Sequence, residues 1–278
     1  NLREARLHSY NVAFQREIFW GLTADVAYVG NVAHGVIADF NLNAGMVPGQ
    51  DNAGRPFFQK FGKTASVQTW FPTDTKYNSL QVKVDRRFRG GWLVTNSYTR
   101  GRAITFSDDN GGVATPANPE LSRGPAGFDR AHIFNSTFVW DIPFANKSNG
   151  FIKAIFGGWQ VSGILSLQSG TPIGFTADAA NLRAPGNTQR PNLNGKPKVF
   201  GDIGPGKLYF DTSAFSAPAA NTFGNMRRND SIRGPGYTNL DGTLIKRFRF
   251  TERIGGELRA DALNVTNSPN FNNPNGAF

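Results

Sequence analysis

The sequence predicts an all-β protein, specifically an antiparallel transmembrane β-barrel with long extracellular loops. Apolar and small polar residues alternate with a period of two between Trp159 and Gln168. A strand of about ten residues suits a tilted bilayer crossing, whereas strands of soluble proteins typically have about five or six. The connections between such strands alternate between short and long, as they do in membrane barrels. No apolar run reaches the roughly 18 residues of a transmembrane helix.

Composition sets broad limits on the class of protein. The chain has 278 residues, which is enough to bury a core, and a net charge of +10 that would attract lipid phosphates, acidic glycans or nucleic acid. Because it has no cysteine, disulfide frameworks, zinc fingers and thiol catalysis are excluded. The sequence starts at Asn1 without an initiator methionine or a signal peptide, so we expect a processed chain or a fragment.

Alternation of apolar and polar residues recurs along the chain. It predicts strands near residues 5–17, 22–29, 77–88, 92–105, 129–142, 158–168, 237–250 and 256–265. Gly90 and Gly91 favour a tight hairpin turn, since such turns require positive φ angles. Residues 30–75 are rich in Gly, Asn and Pro and only patchily patterned, so we expect a long loop there.

The period of two also separates a lipid-facing side from a lumen-facing side. Serines and glutamines occupy the opposite side of the strand that starts at Trp159. Aromatic residues near strand ends suit interfacial girdles, although the core of a soluble sandwich is the alternative interpretation. The residues that we expect to face lipid are Trp159, Val161, Leu165, Leu167, Leu240 and Leu244.

Several motifs in this order resemble TonB-dependent outer-membrane receptors. The motifs lie in residues 77–88, 128–134, 157–172, 190–193, 222–225, 233–237 and 258–271, and include Gly157-Gly-Trp-Gln-Val-Ser-Gly163 and Arg233-Gly-Pro-Gly-Tyr237. Among these receptors they are most similar to the Oar-like group, which carries a carboxypeptidase-regulatory-like N-terminal domain. The resemblance covers most of the chain from Tyr77 onward.

The resemblance implies that this chain is the C-terminal portion of a large barrel in the outer membrane of a Gram-negative bacterium. We expect the signal peptide, the N-terminal β-sandwich, the plug and the TonB-contacting segment to be absent. Such barrels end in a strand with a terminal aromatic residue. Phe278 is aromatic, but residues 272–276 do not have a strand pattern, so we expect a truncated end.

The resemblance also implies active uptake of a nutrient, a carbohydrate or other oligomer, with a chelated metal as a further class. Expected partners are outer-membrane lipid, lipopolysaccharide and, through the absent N-terminal parts, the TonB energy-transduction complex. The alternative hypothesis is a non-transporting surface protein that acts in adhesion or in an extracellular structure.

The sequence has no recognisable catalytic motif, so we expect neither enzyme activity nor a cofactor. The histidines His8, His34 and His132 are far apart in sequence, which argues against a metal site. Residues 246–250 mix basic and aromatic side chains, yet a strand would place the two types on opposite faces. We therefore expect no nucleic-acid binding.

Two loop segments are weak candidates for ligand binding. Asp108, Asp109 and Asn110 precede Gly111 as in part of a calcium loop, but the closing glutamate is missing, which favours a solvated turn. Arg227, Arg228 and Arg233 cluster in a predicted outer loop and are candidates for binding an anionic ligand, with a solvated loop as the favoured alternative.

Overall fold

The structure is a computed structural model, which describes residues 4–108, 111–145, 148, 150–251 and 253–278. No helix in these ranges is both long and apolar enough to cross a membrane. Two α-helices are present there, α1 (Phe58–Phe61) and α2 (Gly150–Phe156). The strands are β1 (Arg6–Glu17), β2 (Leu22–Asn41), β3 (Gln68–Arg89), β4 (Trp92–Thr105), β5 (Gly124–Pro125), β6 (His132–Asp141), β7 (Trp159–Gln168), β8 (Asn192–Leu193), β9 (Phe215–Ser216), β10 (Tyr237–Arg249) and β11 (Gly255–Ala262).

The long strands form one antiparallel meander. Their order across the sheet is β1, β2, β3, β4, β6, β7, β10, β11, while β5 pairs with the end of β4 and β8 pairs with β9 in a separate ribbon. The sheet is open, because within the described ranges no ladder joins β1 to β11. The all-β antiparallel fold that the alternation predicted is confirmed.

The largest correction concerns the region between 30 and 75, which is not a single loop. β2 continues to Asn41 and β3 already begins at Gln68. A register shift between Ala33 and Val36, where Gly35 has a φ of 71°, interrupts the period of two within β2. Pro72 inside β3 further obscures the strand pattern, although it pairs with Ile37.

The short connection expected between β6 and β7 has a secondary structure of its own. It contains α2, whose apolar residues Phe151, Ile152, Ile155 and Phe156 follow helical spacing. A helix of seven residues is too short to stand out in a sequence dominated by strands.

Cross-strand register assigns each side chain to one of two faces, because residues paired across an antiparallel ladder point to the same side. Trp159, Val161, Leu165 and Leu167 share a face with their partners in β10, which include Leu240 and Leu244. We call this side the apolar face. It comprises Tyr10, Val12, Phe14, Leu22, Ala24, Val26, Tyr28, Val32, Leu80, Val82, Val84, Trp92, Val94, Tyr98, Phe134, Phe138, Trp140, Trp159, Val161, Leu165, Leu167, Leu240, Leu244, Leu258 and Ala260.

The opposite side, which we call the polar face, is mostly hydrophilic, although Ile164 of β7 and Ile245 of β10 also lie on it. Ser162 and Ser166 of β7 lie there beside Thr243 and Asn239 of β10. Acidic and basic groups pair on this face, with Arg247 Nε 3.1 Å from a carboxylate oxygen of Glu257. The sheet therefore has one apolar surface and one predominantly hydrophilic surface.

Most of the buried apolar side chains lie outside the sheet, in the long connections. The connection between β7 and β10 folds on itself around a cluster of buried residues, Ile173, Phe175, Phe210, Phe215, Met226 and Ile232. Backbone hydrogen bonds join separate connections, as from Gly45 N to Pro185 O (2.7 Å) and from Thr188 N to Ala114 O (2.7 Å). The three long connections therefore form one packed assembly at one end of the sheet.

Candidate functional site

The apolar face has the exposure and height of a membrane-contacting surface. Val12 is 73% exposed, and Phe14 and Leu258 are each 65% exposed. In β2 the apolar row runs from Leu22 to Val32, which is about 33 Å of strand and, at a tilt of about 40°, about 25 Å of height. The apolar band of outer-membrane barrels has a height of about 25 Å.

Aromatic residues border this band at both ends. Trp92, Trp140 and Trp159 lie on the apolar face near the short connections. Near the long connections, the hydroxyl groups of Tyr10 and Tyr28 both donate to Asn78 Oδ1, at 2.6 and 3.1 Å. Rings with an apolar body and a polar tip suit the two interfaces of a bilayer.

A cleft of about 380 Å³ opens on the polar face, between the ends of β2, β3 and β4 that adjoin the long connections. Apart from Lys76, the described residues that line it are uncharged. We call it the neutral cleft, and its polar and aromatic lining includes Asn31, Thr73, Thr75, Tyr77, Thr105 and Phe128. Amide, hydroxyl and ring groups in a cleft suit a neutral ligand that is rich in hydroxyl groups.

Two adjoining clefts of about 600 and 350 Å³ lie on the opposite side, where the apolar face continues toward the long connections and becomes charged. Segment 229–233 of the β7–β10 connection borders the larger one, and the two share Arg102 and Asp230. Together we call them the cationic cleft. Its charged groups are Lys76, Arg100, Arg102, Arg123, Arg227, Arg233 and Asp230.

Positive charge is in excess in the cationic cleft. Among the described residues that line it, Asp230 is the one acidic group, and it lies 3.1 Å from Arg102 Nη2 in a half-exposed ion pair. The sequence carries a signal for this cleft, because Lys76 and Asn78 lie in phase with the apolar row of Leu80, Val82 and Val84. A row that changes from apolar to basic marks the point where a strand leaves the hydrocarbon for the headgroup region.

The three arginines proposed from sequence have different environments. Arg227 lines the cationic cleft. Arg228 forms a mostly buried ion pair with Asp108, and Arg233 pairs with Asp129, whose side chain is only 2% exposed. A solvated loop is therefore the wrong interpretation for Arg228 and Arg233, because their charges hold connections together.

Arg190, which lies near Arg228, was not predicted from the sequence as a site residue. Arg190 is buried in the same assembly and donates to Thr115 Oγ1 at 3.4 Å. Burial, and secondarily the positive charge of Arg228, lowers the pKa of Arg190 to about 10. The interior of the long connections therefore holds cationic groups that have little contact with water.

The weak calcium candidate lacks support from the residues that the structure describes. The Asp108 carboxylate accepts hydrogen bonds from Gly127 N and Arg228, while Asp109 and Asn110 lie outside the described residues. Within the described part of the chain no group of three or more acidic or histidine residues could hold a metal ion.

His132 and His34 have different partners: His132 contacts Tyr98, and His34 contacts Asp74.

The apolar band, the aromatic borders and the polar reverse side define a wall that spans a membrane by β-strands. The chain belongs to the outer membrane beta barrel domain family, whose family model matches residues 1–278. The protein is thus a β-barrel domain of the outer membrane of a Gram-negative bacterium, as the sequence predicted.

Comparison with solved structures finds similar chains in the FpvAI–pyocin S2 complex and in Pseudomonas aeruginosa FpvA bound to heterologous pyoverdines. Both are 10% identical in sequence, with TM-scores of 0.46 and 0.44. Each alignment covers 96% of this chain but only 23% and 24% of the other, so the chain spans about a quarter of their length. No curated protein matches the sequence.

Proposed function

We propose that this domain is part of the barrel wall of a TonB-dependent receptor that imports a nutrient across the outer membrane. The two-sided sheet carries this proposal, because one surface suits hydrocarbon and the other suits a hydrated passage. The packed assembly of long connections lies where an external ligand would arrive. The motifs between residues 77 and 271 favour the Oar-like group. Transport rather than catalysis is the proposed activity.

The neutral cleft favours a carbohydrate over a chelated metal as the nutrient. It faces the polar side of the wall and offers Asn31, Thr75 and Tyr77 beside the ring of Phe128. Sugars carry many hydroxyl groups and few charges, so amide and hydroxyl partners with one aromatic surface match their chemistry. The hydroxyl of Thr73 already donates to Val36 O at 2.8 Å, which leaves its oxygen as an acceptor.

The cationic cleft favours lipopolysaccharide phosphate as a second partner. It continues the apolar face toward the long connections, at the level of the outer headgroups. Arginine and lysine bind phosphate through charge-assisted hydrogen bonds.

We expect phosphorylated lipid A, but not its dephosphorylated form, to raise the melting temperature of the detergent-solubilised protein. The double variant Lys76→Gln, Arg102→Gln should lose that difference, whereas Arg183→Gln should keep it.

Uptake by living cells tests the transport proposal. Cells that express the receptor in which this domain forms part of the barrel wall should accumulate a labelled maltooligosaccharide, and an uncoupler that dissipates the proton gradient should abolish this uptake. Phe128→Ala should lower the uptake because it removes the exposed ring of the neutral cleft. Phe200→Ala, which removes a partly exposed ring elsewhere in the long connections, is the matched control and should not.

The outcomes separate transport from its alternatives. Proton-gradient-dependent uptake of ferric citrate instead of the sugar would keep the transporter and reject the carbohydrate class. Surface-exposed, folded protein with no energy-dependent uptake of either probe would reject transport and favour the adhesion hypothesis.

A further inference from the structure

Helix α2, in the short-connection end of the molecule, displays apolar side chains on its surface. Phe151 is 78% exposed, and Ile152, Ile155 and Phe156 are also exposed. Phe144, just before the helix, is exposed as well and contacts Phe156 edge to face at 6.3 Å. Water-exposed surfaces rarely carry so many adjoining large apolar groups without a binding role.

The C-terminal end of α2 is docked against the apolar face of the sheet. Lys246 Nζ donates to Ile155 O at 3.1 Å and to Gly157 O, and Trp159 Nε1 donates to Ile155 O at 3.0 Å. Lys246 and Trp159 are cross-strand partners on that face. Two side chains of the lipid-facing wall therefore hold the end of the helix.

Lys246 has the burial of a structural anchor. It is only 4% exposed, and its ammonium group lies 5.2 Å from the Trp159 ring centroid and 5.3 Å from that of Phe248. The carbonyl groups of a helix C-terminus lack partners within the helix and carry partial negative charge, which a cation stabilises. The pairing thus satisfies the buried ammonium group and fixes where the helix can lie.

We propose that α2 is an interfacial helix that inserts Phe151, Ile152 and Phe156 into the periplasmic leaflet of the outer membrane. The apolar surface of the helix is continuous with the apolar face, since Trp159 and Lys246 connect them. Short connections of outer-membrane barrels lie on the periplasmic side. Because α2 lies in a short connection, it is placed at the periplasmic leaflet. Lys153 has a long apolar stem that allows its ammonium group to reach the lipid headgroups.

The absence of cysteine from the chain allows a direct test by spin labelling. A single nitroxide at Phe151→Cys, in the protein reconstituted in phosphatidylethanolamine and phosphatidylglycerol vesicles, should collide more with oxygen than with a water-soluble nickel chelate. The matched label at Leu208→Cys, an exposed apolar position in the long connections, should show the reverse. Both labelled proteins should keep the circular dichroism spectrum of the unlabelled protein.

A label at 151 that is as open to the nickel chelate as the label at 208 would overturn the proposal. A label shielded from both reagents would also overturn it, because it would indicate a protein contact instead of lipid.

Removing the anchor tests the docking of the helix separately. Lys246→Met in the 151-labelled protein should narrow the nitroxide spectrum and increase collisions with the chelate, since the carbonyl groups of Ile155 and Gly157 lose their donor. Unchanged spectra and collision rates would show that Lys246 does not position α2.

Discussion

The large sheet and the long connections differ in where their apolar side chains lie. In the sheet, residues such as Val12, Phe14 and Leu258 are mostly exposed, and among the described residues it contributes only Ala38 and Ile245 to the buried apolar set. The long connections bury Ile173, Phe175, Leu182, Phe210 and Met226 instead. Apolar side chains are therefore exposed in the sheet and buried in the long connections of the same chain.

The two regions have different solvents, which explains the difference. Hydrocarbon gives no penalty to an exposed Val or Phe, but it requires backbone hydrogen bonds to be made within the protein, and the ladders make them between neighbouring strands from β1 to β11. The connections meet water, where burial of apolar surface stabilises the fold and irregular backbone can be solvated.

Removal of a buried ion-pair partner should have the largest effect. Arg233→Met leaves the Asp129 carboxylate buried without its cation, which typically costs about 3–5 kcal/mol. It also removes hydrogen bonds from Arg233 Nη1 to Asp129 O (2.6 Å) and Gly170 O (3.2 Å). Amide hydrogen exchange across residues 169–236 should accelerate while exchange in the sheet strands stays slow.

Arg183→Met is the matched control for this variant. Arg183 also pairs with an aspartate in the long connections, Asp51, at 2.6 Å, but both side chains are about half exposed. Solvent screens such a pair, so exchange should change little. Equal acceleration in the two variants would contradict a buried interior of the long connections.

Truncation of a core ring should have a similar effect on the long connections. Phe215→Ala removes contacts with Phe175 and Phe278, whose ring centroids lie 4.7 and 5.0 Å away, and should cost about 3–5 kcal/mol. Limited proteolysis should cleave this variant faster within residues 169–236. Phe200→Ala, at a partly exposed ring, should resemble the parent protein, and loss of resistance in both would argue against a localised core.

A charge on the apolar face should damage the sheet. Leu165→Arg places a guanidinium group near the middle of the band, away from the level of Trp140, and should cost about 2–4 kcal/mol in the equilibrium between unfolded and membrane-folded protein. The adjacent Ser166→Arg places the same group on the polar face and should be nearly neutral. Urea titrations in lipid vesicles measure both, and equal losses would reject the assignment of the faces.

The smallest expected effect is the pH dependence of an exposed pair. Hydrogen bonds from Arg183 lower the pKa of Asp51 below its usual value of about 4. Because the pKa of Asp51 is lower in the folded state than in the unfolded state, the pair stabilises the folded protein at any pH above the unfolded-state pKa. This stabilisation is lost as the pH falls through the folded-state pKa. An NMR titration of Asp51 should show the lowered midpoint, and Arg183→Met should restore the usual one. A midpoint that does not respond to this substitution would exclude Arg183 as the cause.

The sequence predicts the strands of the sheet well but not the interior of the long connections. The period of two correctly groups Trp159, Val161 and Leu244, because each residue's face depends only on local geometry. The partners of Arg228 and Arg233 are 120 and 104 residues away in the chain, and no local pattern encodes such a distance. The far halves of β2 and β3 are missed for a different reason: the bulge near Gly35 breaks the period of two in β2, and Pro72 obscures it in β3.

The most direct test of the account is a nitroxide scan along β7 in lipid vesicles, with single cysteines from position 161 to 167. Oxygen accessibility should peak at Val161, Leu165 and Leu167 and fall at Ser162 and Ser166. Ile164 is decisive, because it is apolar yet lies on the polar face opposite Asp241 and Thr137. The account predicts that the label at 164 is accessible to the nickel chelate and not to oxygen in lipid; a lipid-exposed label there, or no alternation along the strand, would contradict it.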